Sequence, residues 1–184
     1  MKTAFRNLAL ALTLLPAGVG FAGNKTVETV VKKNTETVTS DLMNTKGEVI
    51  GQIALSQVKN RGVKLHLKAS GLAPGKHGIH FHETGKCETP DFKSAGNHFK
   101  VAGQEHGLKN PKGPHLGDLP NLEVKDDGTA VLDAVVKRVS LSEGKNSLLK
   151  PGGTAIVVHA KSDDQHSEPS GDSGDRVACA VVEL

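Results

Sequence analysis

From residue 63 to residue 68 the chain alternates without a break: Val63, Leu65 and Leu67 are apolar, while Lys64, His66 and Lys68 are polar. Successive side chains of a strand leave on opposite faces, so this period of two predicts a sheet with one dry and one wet face. Similar short segments recur along the chain and are punctuated by turn residues. Strands are expected at residues 37–43, 48–58, 63–69, 77–83, 122–124, 129–136, 154–159 and 177–184. Asn44-Thr45-Lys46-Gly47, Asn60-Arg61-Gly62 and Lys125-Asp126-Asp127-Gly128 read as hairpin turns between them.

Two stretches lack either period. Residues 84–121 hold six glycines and four prolines, and residues 160–175 form a second long polar stretch. Loops this long are uncommon in compact domains unless something other than secondary structure orders them. Residues 139–147 read as an irregular connection with room for one helical turn. The fold class that follows is all-β: an eight-stranded Greek-key barrel or sandwich, immunoglobulin-like, with two long functional loops.

The start of the chain has a different character. Lys2 and Arg6 precede an apolar run from Leu8 to Leu15, and Gly20-Phe21-Ala22 offers a small-residue cleavage pattern. Residues 1–22 are expected to be a secretory signal peptide, residues 23–36 a flexible polar arm, and residues 37–184 the folded domain. The protein is then exported, to a periplasm or the extracellular space, with no integral membrane segment in the mature chain. Removing residues 1–22 takes Lys2 and Arg6 from the 23 basic residues and nothing from the 20 acidic ones, leaving a net charge of +1. Trp and Tyr are absent, and only Phe81, Phe92 and Phe99 remain in the mature chain. A near-neutral surface without aromatic-studded basic patches excludes nucleic acid as the expected partner. No segment marks an interface, so monomer and homodimer both stay open.

The chemistry-bearing residues concentrate around the long loop. In Gly78-Ile79-His80-Phe81-His82-Glu83 the strand period sends His80 and His82 to one face and Ile79 and Phe81 to the other. His98, His106, His115 and Asp118 follow in the loop, and His159 ends a later strand. Seven ligand-type groups exceed what one four-coordinate ion needs, so two ions are expected. Any one histidine alone reads as a surface or satisfied core residue; the pair at strand spacing and the His115/Asp118 pair together do not. His66 falls on a wet face, His77 shares the parity of Ile79 and Phe81, and His166 lies in a polar loop; none is assigned as a ligand. In an exported chain Cys87 and Cys179 default to a disulfide closing a loop of about 90 residues, worth roughly 4–5 kcal/mol. Metal ligation by both cysteines is the competing reading.

The motifs His77-Gly-Ile-His-Phe-His-Glu83, Gly96-Asn-His-Phe99, His115-Leu-Gly-Asp-Leu-Pro120 and Gly174-Asp-Arg-Val-Ala-Cys179 give the chain its most specific signal. With them it resembles the copper/zinc superoxide dismutases of exported bacterial type, from about residue 37 to the end. The resemblance implies copper ligands His80, His82, His98 and His159, and zinc ligands His98, His106, His115 and Asp118, with His98 shared. It implies Asp163 as a carboxylate linking ligands of the two ions, Arg176 as the arginine beside copper, and Cys87–Cys179 as the disulfide. The implied activity is conversion of the small anion superoxide to oxygen and hydrogen peroxide, an antioxidant defence outside the cytoplasm in which copper cycles in redox state and His98 hands over a proton. Lys93, Lys100 and Lys161 are expected to be solvated surface residues. The chain departs from the family pattern at Lys100-Val101, where the family has Asn-Pro, and at Ala180, where it has glycine. The competing classes are a copper or zinc store, a dismutase-like binding module without turnover, and a sandwich stapled by zinc.

Overall fold

Residues 37–184 are described by a computed structural model; the signal peptide and the arm expected over residues 1–36 lie outside the described residues. Nine strands follow in chain order: β1 (Val38–Asn44), β2 (Val49–Val58), β3 (Gly62–Ala69), β4 (Gly75–His77), β5 (Ile79–His82), β6 (Leu122–Val124), β7 (Ala130–Val136), β8 (Thr154–His159) and β9 (Arg176–Val182). They form one antiparallel sheet in the order β4-β6-β7-β3-β2-β1-β9-β8-β5. Its two ends, β4 and β5, are joined through Gly78 alone, so the sheet curls into a nearly closed barrel.

That junction corrects the expected strand count. Residues 77–83 read as one strand, but Gly78 interrupts it: the Gly78 N–H donates to Lys161 O, and its carbonyl accepts from His159 N–H. His77 therefore pairs with Leu122 of β6, while β5 pairs with β8. A strand that changes neighbours must break its ladder at the corner, and periodicity cannot reveal that. The expected helical turn within residues 139–147 is also absent; that segment is turns with a parallel bridge between Ser140 and Ser147. The one helical turn among the described residues is a 3-10 turn at Lys93–Ala95.

The alternation of β3 is realised as expected. Val63, Leu65 and Leu67 are fully buried in the barrel interior with Ile53, Leu55, Leu122 and Ile156. Lys64, His66 and Lys68 face solvent. Each such buried side chain stabilises the fold by about 1.5–3 kcal/mol. The opposite wall differs, because every residue of β5 and of β8 is buried. Ile79, Phe81, Ile156 and Val158 fill the barrel, whereas Ala155, Val157 and Cys179 pack outside it against Phe92 and Ala95. The long loop thus lies over the outer face of β5, β8 and β9, and a bond between Cys87 and Cys179 fastens it there.

Candidate metal centre

Backbone hydrogen bonds hang two loop segments on β5. Glu83 N–H donates to Asn97 O, Phe99 N–H to Phe81 O, and Phe81 N–H to Gly117 O. His82 thereby bridges to His98 and His80 to Asp118. Gly117 has to be glycine, since a β-carbon there would lie 2.2 Å from Phe81 O. From the other side, β8 and β9 set His159 opposite Arg176 across a bulge.

The strand and loops converge on two groups of donor atoms. His80, His82, His98 and His159 each offer a ring nitrogen within 4.8 Å of the others. Their nitrogens without a partner are His80 Nδ1, His82 Nε2, His98 Nε2 and His159 Nε2. The remaining nitrogens of three of them are engaged: His80 Nε2 with Asp163 Oδ2 at 2.7 Å, His82 Nδ1–H with Gly96 O at 3.0 Å, and His159 Nδ1–H with Gly174 O at 3.0 Å. Leaving four buried nitrogens unpaired costs about 1–3 kcal/mol each. An ion that accepts four imidazoles removes that cost, and such a set suits tetragonal copper.

The second group centres on Asp118. Its Oδ1 lies 3.0 Å from His106 Nδ1, 3.2 Å from His98 Nδ1 and 3.5 Å from His115 Nδ1. His98 and His115 Nδ1 are 3.5 Å apart. Ligands about 2.0–2.1 Å from a tetrahedral zinc stand roughly 3.3–3.4 Å from each other, so these edges fit zinc. The other carboxylate oxygen, Oδ2, accepts the N–H groups of Gly107 and His115 at 2.8 and 2.9 Å. Proximity within 4.8 Å also places His80 with His98, His106 and Asp118. The hydrogen bond of His80 Nε2 to Asp163 and the three Nδ1 contacts of Asp118 favour His115 for the fourth place.

Asp163 joins the two groups. It faces His80 through Oδ2 and, at 3.0 Å, His106 Nε2 through Oδ1, which also takes Gln165 N–H at 2.6 Å. Gly171 leaves the room for this bridge: at its φ of +64°, a β-carbon would sit 1.8 Å from Asp163 Oδ1.

Electrostatics follow the contacts. Burial lowers His80 to about 3 and His159 to about 4, against their hydrogen bonds to Asp163 and Gly174 O, which oppose the change. Burial and the His98 ring push His82 well down, and burial lowers His98 itself. These are neutral imidazoles, the form that binds metal. For His106 burial also works downward, but hydrogen bonds with Asp118 and Asp163 prevail and raise it to about 9. For Asp118 and Asp163, burial works upward, yet their histidine partners hold both well below the carboxylate range.

Above the four-histidine group lies a cavity of about 410 Å³, lined by His82, His98, His159, Arg176, Lys100 and others. Arg176 donates from Nη1 to Phe92 O and from Nη2 to Gly96 O, each at 2.7 Å, which aims its guanidinium. A larger concavity of about 710 Å³ lies on the far face beside His66, Lys68 and Val131. It gathers no ligand set, and His66 there pairs with Asp133 at 3.1 Å.

Among the other residues singled out in the sequence, His77 is buried with Nδ1 on His159 O and Nε2 on Ala73 O, so both its nitrogens are engaged. Lys93 pairs with Asp91 at 2.9 Å on the surface, and Lys161 and His166 are exposed. Lys100 is exposed as expected, yet it borders the cavity. Ala180 is fully buried in β9 and pairs with Ile156. Sequence reasoning missed Arg138, whose guanidinium donates to His115 O at 3.2 Å and Asp118 O at 2.7 Å. No local signal marks it, because it reaches the loop from just beyond the end of β7, some twenty residues away in sequence.

Comparison with known proteins points to one family. The sequence profile described as copper/zinc superoxide dismutase (SODC) matches residues 49–182. Superoxide dismutase [Cu-Zn] 1 of Aquifex aeolicus (strain VF5) is 48% identical over 145 residues, which cover 78% of this chain and 85% of that protein. The crystal structure of a double mutant of a SOD-like protein from Bacillus subtilis superposes with a TM-score of 0.77 at 39% identity, covering 79% of this chain and 97% of the other. Cu/Zn superoxide dismutase from Brucella abortus gives a TM-score of 0.65 at 26% identity, over 80% of this chain and all of that one. With the profile spanning most of the chain and relatives this similar, the chain belongs to the copper/zinc superoxide dismutase family.

Proposed function

We propose that this protein removes superoxide with copper held by His80, His82, His98 and His159 and zinc held by His98, His106, His115 and Asp118. The observation that carries the ligand map is the set of four buried, unpaired nitrogens beside a carboxylate ringed by three Nδ1 atoms. Bound copper supplies a one-electron couple, so that two superoxide anions and two protons yield one dioxygen and one hydrogen peroxide.

The protein's own groups do the rest. Arg176 keeps its proton even though burial lowers it, and it presents a fixed positive charge to a small anion entering the cavity. A focused field of this kind raises on-rates by about 10-fold to 10³-fold. His98 has one nitrogen in each donor group, so Nε2 can hold a proton for the product while Nδ1 stays beside Asp118. Asp163 fixes His80 and His106 together, so the ligands of both ions keep one relative orientation.

Export by a signal peptide at residues 1–22, a polar arm over 23–36 and a catalytic domain over 37–184 complete the reading, with residence in a periplasm or outside the cell. The Cys87–Cys179 bond supports an oxidising compartment. Among the described residues no helix is long and apolar enough to cross a membrane.

Elemental analysis of protein reconstituted with both metals, beside a superoxide-removal assay on the same sample, tests the proposal. Near-equal copper and zinc per chain with fast, copper-dependent turnover is expected. Both metals without turnover would make the protein a binding module.

A further inference from the structure

Every candidate ligand histidine except two passes its outward ring nitrogen to a protein acceptor: His80 and His106 to Asp163, His82 to Gly96 O and His159 to Gly174 O. His98 has no outward nitrogen, since each of its two belongs to a donor group. His115 is the remaining case. With Nδ1 given to zinc, as in the ligand map proposed above, a neutral ring carries its proton on Nε2, and that atom is buried and without a partner. The facing acceptor is Glu168 Oε1, 3.9 Å away. That separation is too long for a hydrogen bond and about 1 Å from making one.

Glu168 is suited to close the gap. Its side chain is 44% exposed, so it can change rotamer, whereas the His115 side chain is 2% exposed and fixed. The same Oε1 already accepts the backbone N–H of His106. Its segment is anchored, because Ser167 is tied to Asp164 through both N–H and hydroxyl. One carboxylate thus stands against two of the three histidines around Asp118, from the loop opposite the one that carries them.

We propose that Glu168 is the positioning residue for His115: it accepts a hydrogen bond from Nε2–H when zinc is bound, fixing tautomer and ring, and ties the 160–175 loop to the zinc ligands. The inference rests on the ligand map proposed above. A carboxylate behind a metal-bound imidazole raises its basicity, and losing such a partner weakens metal affinity by about 10–100-fold.

The test compares the full-length wild type, Glu168→Ala and Glu168→Gln, each loaded with zinc and challenged with a chelator. Nitrogen-15 NMR reads exchange of the ring protons of His115 and His80 in the same samples. Glu168→Ala should release zinc about 10–100-fold more readily, and its His115 Nε2 proton should exchange faster, while the His80 proton held by Asp163 stays protected. Glu168→Gln keeps the oxygen but not the charge and should fall between. Unchanged zinc retention in Glu168→Ala, or a His115 proton as protected as in wild type, overturns the role of Glu168 alone. A wild type that takes up no zinc overturns the ligand map, and this inference with it.

Discussion

His159 separates the two ion sites, because it belongs to the four-histidine group and not to the set around Asp118. His159→Ala should abolish dismutation while the chain keeps its zinc, measured by metal content and turnover on one sample. Full activity in that variant would sink the copper assignment. Arg176 touches no proposed ligand atom, so its loss acts on the anion. Arg176→Ala should retain both metals, lower kcat/KM by about 10-fold or more, and flatten the dependence of rate on ionic strength. The convergence of the two donor groups is legible in the sequence because strand period and motif spacing both mark their residues. Arg138 and Gly171 are not, since the first matters through carbonyls distant in sequence and the second through an approach that only the folded loop creates.

At the level of elements, β5 has two duties. Its outer face aims His80 and His82, while Ile79 and Phe81 anchor it in the barrel. Phe81 is fully buried between the two histidines in sequence, and its backbone holds both loop segments. Phe81→Ala leaves every proposed ligand in place but opens a cavity, at a cost of about 3–5 kcal/mol. Thermal unfolding of the metal-free protein should show a much lower midpoint, with higher zinc and copper concentrations needed to restore it. The break at Gly78 escaped the alternation because parity says which face a side chain takes and not which strand it pairs with. The expected segments otherwise coincide with the strands found, since turn residues mark their ends.

For the whole molecule, the opposed shifts around the centre give the metal-free protein a stability maximum. His80 and His159, lowered to about 3 and 4 from 6.5, stay neutral when folded, so stability falls as pH drops below 6.5 and the unfolded chain takes up the protons. His106, raised to about 9, contributes stability that is complete below 6.5 and lost as pH climbs through 9. Urea midpoints of the metal-free protein should therefore peak near pH 6.5 and decline on both sides. Zinc displaces the His106 proton, so the alkaline decline should vanish when zinc is bound. A flat profile without metal would contradict the contacts of Asp118 and Asp163.

The bond between Cys87 and Cys179 reaches further than the loop it closes. Phe92 packs in the same outer cluster as both cysteines, and its carbonyl is one of the two that aim Arg176. Arg176 itself begins the strand that carries Cys179. Opening the bond should free the floor on which the guanidinium rests, so the redox state of two distant sulfurs bears on how well an anion is received. A reduced chain is then an unarmed one, and closing the bond is the act that arms it.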